Sequence, residues 1–190
     1  PDQDSDNDGI PDHSDAFPND GERAFEEFTP SQFGYGSMAF EDLWPAKGDY
    51  DFNDLVVNYR FVKVENSAGN TVELIVRLKV TAVGAAYRNG FGIELPVAAH
   101  RVQSVTGASL TDNLISVEAN GVESGQQNAV IIAFDNAHAR INEYVDGGPG
   151  VRADEQVITV RFVEPITAAE LGSAPFNPFI FVNRVREREV

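Results

Sequence analysis

Apolar and polar residues alternate most plainly over residues 71–83. There Val72, Leu74, Val76, Leu78, Val80 and Ala82 fall on one side of an extended chain, and Thr71, Glu73, Arg77, Lys79 and Thr81 on the other. A period of two predicts a half-buried antiparallel strand, because successive strand side chains point to opposite faces. Residues 55–64 read as a strand that opens on apolar, β-branched residues, and Gly69-Asn70 marks a turn between the two runs, so together they predict a long hairpin. Further strands are predicted at 90–95, 101–105, 114–118, 128–135, 156–163 and 177–185. Asn89-Gly90, Asn120-Gly121, Ser124-Gly125 and Gly147-Gly148-Pro149-Gly150 read as the loops between them. Residues 24–40 read as a strand-and-loop region without a clear period. The one helical signal of note is Thr167-Ala-Ala-Glu170-Leu171-Gly172, whose capping-box spacing and stopping glycine suit one or two turns. About eight short strands at this spacing predict an all-β fold, an antiparallel β-sandwich with jelly-roll-like wiring.

Two stretches break the pattern. Residues 1–22 contain almost nothing apolar beyond Ile10, Ala16 and Phe17 and cannot form a core alone. They read instead as Asp4-x-Asp6-x-Asp8-Gly9-Ile10-x-Asp12-x-x-Asp15, with alternate acids, a glycine at the sixth position and an acid at the twelfth. This is the grammar of a Ca²⁺ loop, in which the Ile10 carbonyl takes the seventh position. Pro11 and Pro18 exclude the regular flanking helices of an EF-hand. The chain is therefore expected to divide into an irregular calcium-binding segment, 1–22, and a sandwich, 23–190.

The second stretch runs from Glu41 to Tyr59. Asp49, Asp51, Asn53 and Asp54 place four oxygen-bearing side chains within six residues, directly before a strand. Like charges so close destabilise one another, and a hard cation that takes six to eight oxygen ligands removes the conflict. Glu41 and Asp42 open the same stretch and are counted with these four as metal ligands. Trp44 is the only tryptophan, and with Tyr50 it sits beside the acids. Aromatic faces next to cation-held oxygens suit sugar recognition, whereas Trp44-Pro45 packed over the sandwich edge would be structural.

Charge sharpens this picture. The net charge is -16, and residues 1–54 carry fifteen of the thirty acids but only Arg23 and Lys47 among the fourteen basic residues. Such a surface excludes nucleic-acid binding and argues against anionic membranes. There is no cysteine, and His13, His100 and His138 are scattered, so no zinc ligand set exists. No run is long and apolar enough to span a membrane, and direct membrane insertion is not expected. The chain starts at Pro1 inside an acidic pattern and stops at Val190 inside a predicted strand, so a larger polypeptide is expected to continue at both ends.

Residues 2–20, Asp-Gln-Asp-Ser-Asp-Asn-Asp-Gly-Ile-Pro-Asp-His-Ser-Asp-Ala-Phe-Pro-Asn-Asp, resemble a thrombospondin type 3 repeat of the cysteine-free bacterial kind. The resemblance implies Asp4, Asp6, Asp8, Asp12 and Asp15 as Ca²⁺ ligands and leaves open a second ion at Asp2 or Asp20. The main domain resembles the LruC domain, itself related in motif to the DUF4114 domains. Glu41-Asp42-Leu43-Trp44-Pro45, Gly48-Asp49-Tyr50-Asp51-Phe52-Asn53-Asp54-Leu55-Val56-Val57 and Pro175-Phe176-Asn177-Pro178-Phe179-Ile180-Phe181-Val182 carry that likeness. It implies export, a β-rich fold and a cation at Asp49, Asp51, Asn53 and Asp54, with no established activity.

Serine lacks any G-x-S-x-G context, and the paired acids that would serve a glycoside hydrolase are better explained as calcium ligands. The expectation is a non-catalytic, Ca²⁺-binding extracellular module of a larger exported bacterial protein, secreted or at the outer surface. It would recognise a glycan or a cell-surface protein. The alternative is a purely structural, calcium-rigidified spacer.

Overall fold

The structure, a computed structural model, describes residues 3–43, 46–145 and 147–186. Eleven strands are present among them: β1 (Phe25–Thr29), β2 (Gly36–Phe40), β3 (Leu55–Glu65), β4 (Thr71–Ala82), β5 (Tyr87–Ala98), β6 (Val102–Thr106), β7 (Asn128–Phe134), β8 (Glu143–Tyr144), β9 (Val151–Arg152), β10 (Gln156–Ile166) and β11 (Asn177–Arg186). The larger sheet runs β1-β3-β4-β10-β6, with β2 also paired to β3. β1 takes the Phe61–Glu65 part of β3 and β2 the Leu55–Tyr59 part. The second sheet is β11-β5-β7, and β8 and β9 form a small hairpin. After the β3–β4 hairpin the chain changes sheet at β5, β6, β7, β10 and β11. That alternation is the jelly-roll-like wiring of an all-β antiparallel sandwich.

The period-two reading of β4 holds for Leu74, Val76, Leu78 and Val80, all buried in the core. They meet Leu55, Val57 and Phe61 of β3, Ile158 and Val160 of β10, and, across the sandwich, Phe91, Ile93 and Leu95 of β5. Phe91 packs on Phe134 of its own sheet and edge-on to Phe40 of the other, with centroids 5.9 Å apart in each pair. At the start of β4 the alternation fails. Val72 is only half-buried, whereas Glu73 is buried because Arg161 of β10 donates to it at 2.8 Å. The capping box forms as expected, with the Thr167 hydroxyl accepting from the Glu170 N–H and α1 (Ala168–Leu171) ending at Gly172.

Two predicted elements differ. Residues 114–118 form no strand: Leu114 and Val117 are exposed, and one isolated bridge, Val117 to Glu123, is all that forms. This segment belongs to a long cover over the free edge of β7, where Ser109 N–H donates to Ala133 O and Glu123 N–H to Val130 O, each at 2.8 Å. Covering an edge satisfies its orphan backbone groups, and it lets Ala129–Phe134 be buried on both faces. Asn89-Gly90, expected to be a loop, lies inside β5 with Asn89 fully buried.

Residues 3–22 contain no helix or strand. They are tied to the sandwich through the backbone, Ala16 N–H to Ala24 O at 2.8 Å and Ala24 N–H to Glu65 O at 2.7 Å.

Candidate metal centres

In the N-terminal loop Asp4, Asp6 and Asp8 are half-buried, while Ser5, Asn7 and Gly9 between them are exposed. Alternation thus turns the carboxylates inward, and Gly9, at φ +96°, makes the bend that an L side chain resists. One oxygen from each of the three acids lies within 4.8 Å of the others. Asp4 braces the turn with both oxygens, accepting from Asn7 N–H at 2.8 Å and Gly9 N–H at 3.1 Å. Asp6, Asp8 and Asp15 divide their labour. One oxygen of each accepts a backbone N–H two residues on, from Asp8, Ile10 and Phe17 respectively. The other, Oδ2, is buried without a hydrogen-bond partner in all three. Buried carboxylate oxygens left unpaired are costly, and a cation is the ordinary remedy.

Asp12 is used differently from its neighbours. Both of its oxygens accept from Ser5, from the N–H and the hydroxyl, at 2.8 Å each, which clasps the loop shut. Ile10 gives its N–H to Asp8. Asp20 is committed to Arg23 at 2.7 Å, and that side-chain contact holds its carboxyl below the usual range. Asp2 lies outside the described residues.

The second centre follows from strand register. The β2–β3 ladder ends at Phe40 opposite Leu55, so the next pair, Glu41 and Asp54, face each other at the base of the 41–54 loop. Both are more than nine-tenths buried. Asp54 also accepts the Asp42 N–H at 2.8 Å. Glu41, Asp42 and Asp54 bring one oxygen each within 4.8 Å, and so does a second set of Glu41, Asp49 and Asp51. Burial, reinforced by the Asp54 carboxylate and the charge of Asp49, pushes Glu41 up to about 6. Burial likewise raises Asp42, with Asp54 adding to the shift. Asn53 is turned toward Asp51, whose carboxylate accepts from its side-chain amide, and the Asn53 backbone carbonyl accepts the Gly84 N–H at 2.9 Å. The predicted ligands of this stretch therefore gather at one place, with Glu41 common to both sets.

Sequence reasoning missed Asn89. It reaches the site from the opposite sheet, where its Nδ2 donates to Asp42 Oδ2 at 3.1 Å. Its Oδ1 is buried without a partner. No local signal marks it, because Arg88, Gly90 and Glu94 stand in the same strand and Asn89-Gly90 has the composition of a turn.

Tyr50 and Phe52 alternate with the acids in left-handed backbone, φ 58° and 52°, and both rings are about half exposed. Such conformations are uncommon for bulky residues and persist only where the surroundings impose them. Phe52, rather than Tyr50, lines a groove of about 510 Å³ with Phe40, Glu41, Asp42, Phe179 and Ile180. Trp44, the other predicted ligand-binding residue, lies outside the described residues.

A third group of acids has its needs met by protein. Asp135, fully buried at the end of β7, accepts from Thr111 N–H at 2.7 Å, Asp112 N–H at 2.9 Å and the Thr111 hydroxyl at 3.2 Å. No histidine joins any three-acid group among the described residues.

Comparison with known proteins places the fold and the family. No curated protein matches the chain. A crystal structure of a candidate lipoprotein from Bacteroides ovatus superposes with a TM-score of 0.51 at 16% identity, over 84% of this chain and 53% of that one. The chain thus spans about half the length of that protein, and at this identity the likeness speaks for the sandwich fold alone. Residues 69–190, well over half the chain, match a described sequence family, so the protein belongs to the family called domain of unknown function DUF4842.

Proposed function

We propose that this chain is a non-catalytic, calcium-binding β-sandwich module of an exported protein that acts in calcium-dependent recognition at a cell surface. The observation that carries the reading is the pair of buried, partnerless Oδ2 atoms of Asp6 and Asp8, grouped with Asp4 within 4.8 Å, together with the equally partnerless Oδ2 of Asp15 in the same segment. Each is an oxygen, as Ca²⁺ requires, and each is held in place by its sister oxygen's bond to the backbone. Bound calcium converts residues 3–22 from a self-repelling acidic segment into a rigid element, continuous with the sandwich through Ala16 and Ala24. The lipoprotein likeness supports an exported setting. The groove beside Glu41 and Asp42, with Phe52 at its rim, is the place for a glycan or a surface-protein segment. The backbone ties at Ala16 and Ala24 equally favour a second reading, a structural spacer whose rigidity is the function.

The test is a thermal melt of the purified chain in millimolar Ca²⁺, in excess chelator and in Mg²⁺. At a hundredfold excess over Kd, ligation stabilises by about 3 kcal/mol. For a chain of this size that is a rise in Tm of roughly 5–10 °C. Equal midpoints in all three conditions, with no heat of Ca²⁺ binding by calorimetry, would overturn the reading. Array screening of the calcium-loaded chain against glycans separates recognition from spacing.

A further inference from the structure

We infer that the base of the 41–54 loop is a separate calcium site that staples the two sheets together, with Asn89 of β5 as its fourth protein ligand beside Glu41, Asp42 and Asp54. The inference rests on the same calcium chemistry as the reading above but not on the N-terminal loop. Its first support is geometric. Glu41 and Asp54 are opposed by the β2–β3 register, both more than nine-tenths buried, and Asp42 joins them within 4.8 Å. Three carboxylates so placed repel one another unless a cation sits between them. The second support is independent of the acids. Asn89 is wholly buried, comes from the other sheet, and has a carbonyl oxygen with no partner while its amide nitrogen touches Asp42 Oδ2 at 3.1 Å.

A side-chain amide can turn over with little change in shape, because its oxygen and nitrogen are nearly the same size. With the site empty, the nitrogen faces the carboxylates as a donor. With a cation present, the turned amide brings its oxygen to the same place, within reach of the ion that Asp42 holds. Three carboxylates and one amide oxygen, with no nitrogen or sulfur donor, form a hard set, and a loop-based site of this kind suits Ca²⁺ in preference to the stricter Mg²⁺ octahedron. Asp42 and Asp54 sit near the two ends of the loop carried by β2 and β3 of the larger sheet, and Asn89 belongs to the smaller sheet. One ion therefore joins loop, β3 and β5.

The test separates this site from the N-terminal one. The Asp6→Asn/Asp8→Asn variant strips charge from the N-terminal loop and leaves residues 41–54 intact. Titrated with CaCl₂ in a calorimeter, it is expected still to bind one ion. Adding Asn89→Ala weakens that binding by about tenfold or more, at least what loss of a supporting contact costs at a metal site. Asn89→Asp retains it. In the same background Ca²⁺ slows hydrogen exchange at Leu55 and Phe91 together, since the ion links both strands. If the Asp6→Asn/Asp8→Asn variant binds no calcium while the wild type does, the N-terminal reading stands and the staple falls. If both Asn89 variants titrate like their parent, Asn89 is no ligand. Should Asn89→Ala fail to fold, Asn89→Asp decides by itself. A ligand there gives a low midpoint in chelator that Ca²⁺ restores, and a midpoint indifferent to Ca²⁺ overturns the proposal.

Discussion

Asp135→Ala tests whether a buried acid in this protein can be satisfied without a cation. The wild-type carboxylate is wholly buried and accepts two backbone N–H groups, from Thr111 at 2.7 Å and Asp112 at 2.9 Å, plus the Thr111 hydroxyl at 3.2 Å. Hydrogen bonds to a charged acceptor contribute about 1.5–3 kcal/mol each. Removing the carboxylate forfeits the two short bonds and leaves their donors facing an apolar methyl, a loss of about 4 kcal/mol. With a urea m-value near 2 kcal/mol/M, the unfolding midpoint falls by about 2 M. Asp135→Asn keeps one oxygen but turns an amide N–H₂ against a backbone donor, so it loses about half as much. Urea denaturation followed by tyrosine and tryptophan fluorescence, in Ca²⁺ and in chelator, measures both. The deficits should be the same in the two conditions, because Asp135 already has its partners. An Asp135→Ala protein within about 1 kcal/mol of wild type would refute the hydrogen-bond argument. A deficit that Ca²⁺ abolishes would show that Asp135 acts through an ion and would erase the contrast with Asp6 and Asp8.

Three further outcomes are expected. Glu41→Gln removes one of the opposed carboxylates, so in chelator the midpoint rises by a few degrees while the increment gained on adding Ca²⁺ shrinks. Thermal melts in both conditions check it. Hydrogen bonds from Asn128 and Asn177 hold Glu94 below the usual carboxylate range. A folded pKa below the unfolded one means that ionised Glu94 stabilises above about pH 4.3 and ceases to as pH falls through the depressed value. The stability gap between wild type and Glu94→Gln, followed by urea unfolding from pH 7 to 3, should therefore close toward acid. Gly107→Ala places a Cβ 2.0 Å from the Val157 carbonyl oxygen at φ +88°, with backbone on both sides of the clash, and should cost about 3 kcal/mol or more by denaturant midpoint.

The sequence was readable where a single local rule decided the outcome. The β4 core positions, the Gly69-Asn70 turn and the Thr167–Glu170 box each follow from residues close together in the chain. The inward turn of Asp4, Asp6 and Asp8 was likewise legible, since alternation and Gly9 dictate it. Other features needed contacts across the fold. Asn89 reads as a turn residue until β5 is known to pass beside Asp42. Residues 114–118 have a strand-like composition, but β7 required its edge covered and took backbone bonds from Ser109 and Glu123 instead. Asp12 fits the ligand pattern by spacing, yet Ser5 stands within reach of both its oxygens. Two-residue strands such as β8 and β9 are too short to leave a period.

The repeated change of sheet has a kinetic consequence. β3 and β4 pair directly across the 66–70 turn, whereas Val76 of β4 must find Ile158 of β10, and β5 must find β11. Closing such long loops costs entropy before any pairing repays it, and β-rich chains wired this way fold in milliseconds to seconds. The β3–β4 hairpin is the natural nucleus. Until residues 107–127 settle on β7, Val130, Ile131 and Ile132 present an uncovered apolar edge, the kind that captures a neighbouring chain. During that interval the net charge of -16 acts between molecules, keeping partly folded copies apart until each has closed its own edge.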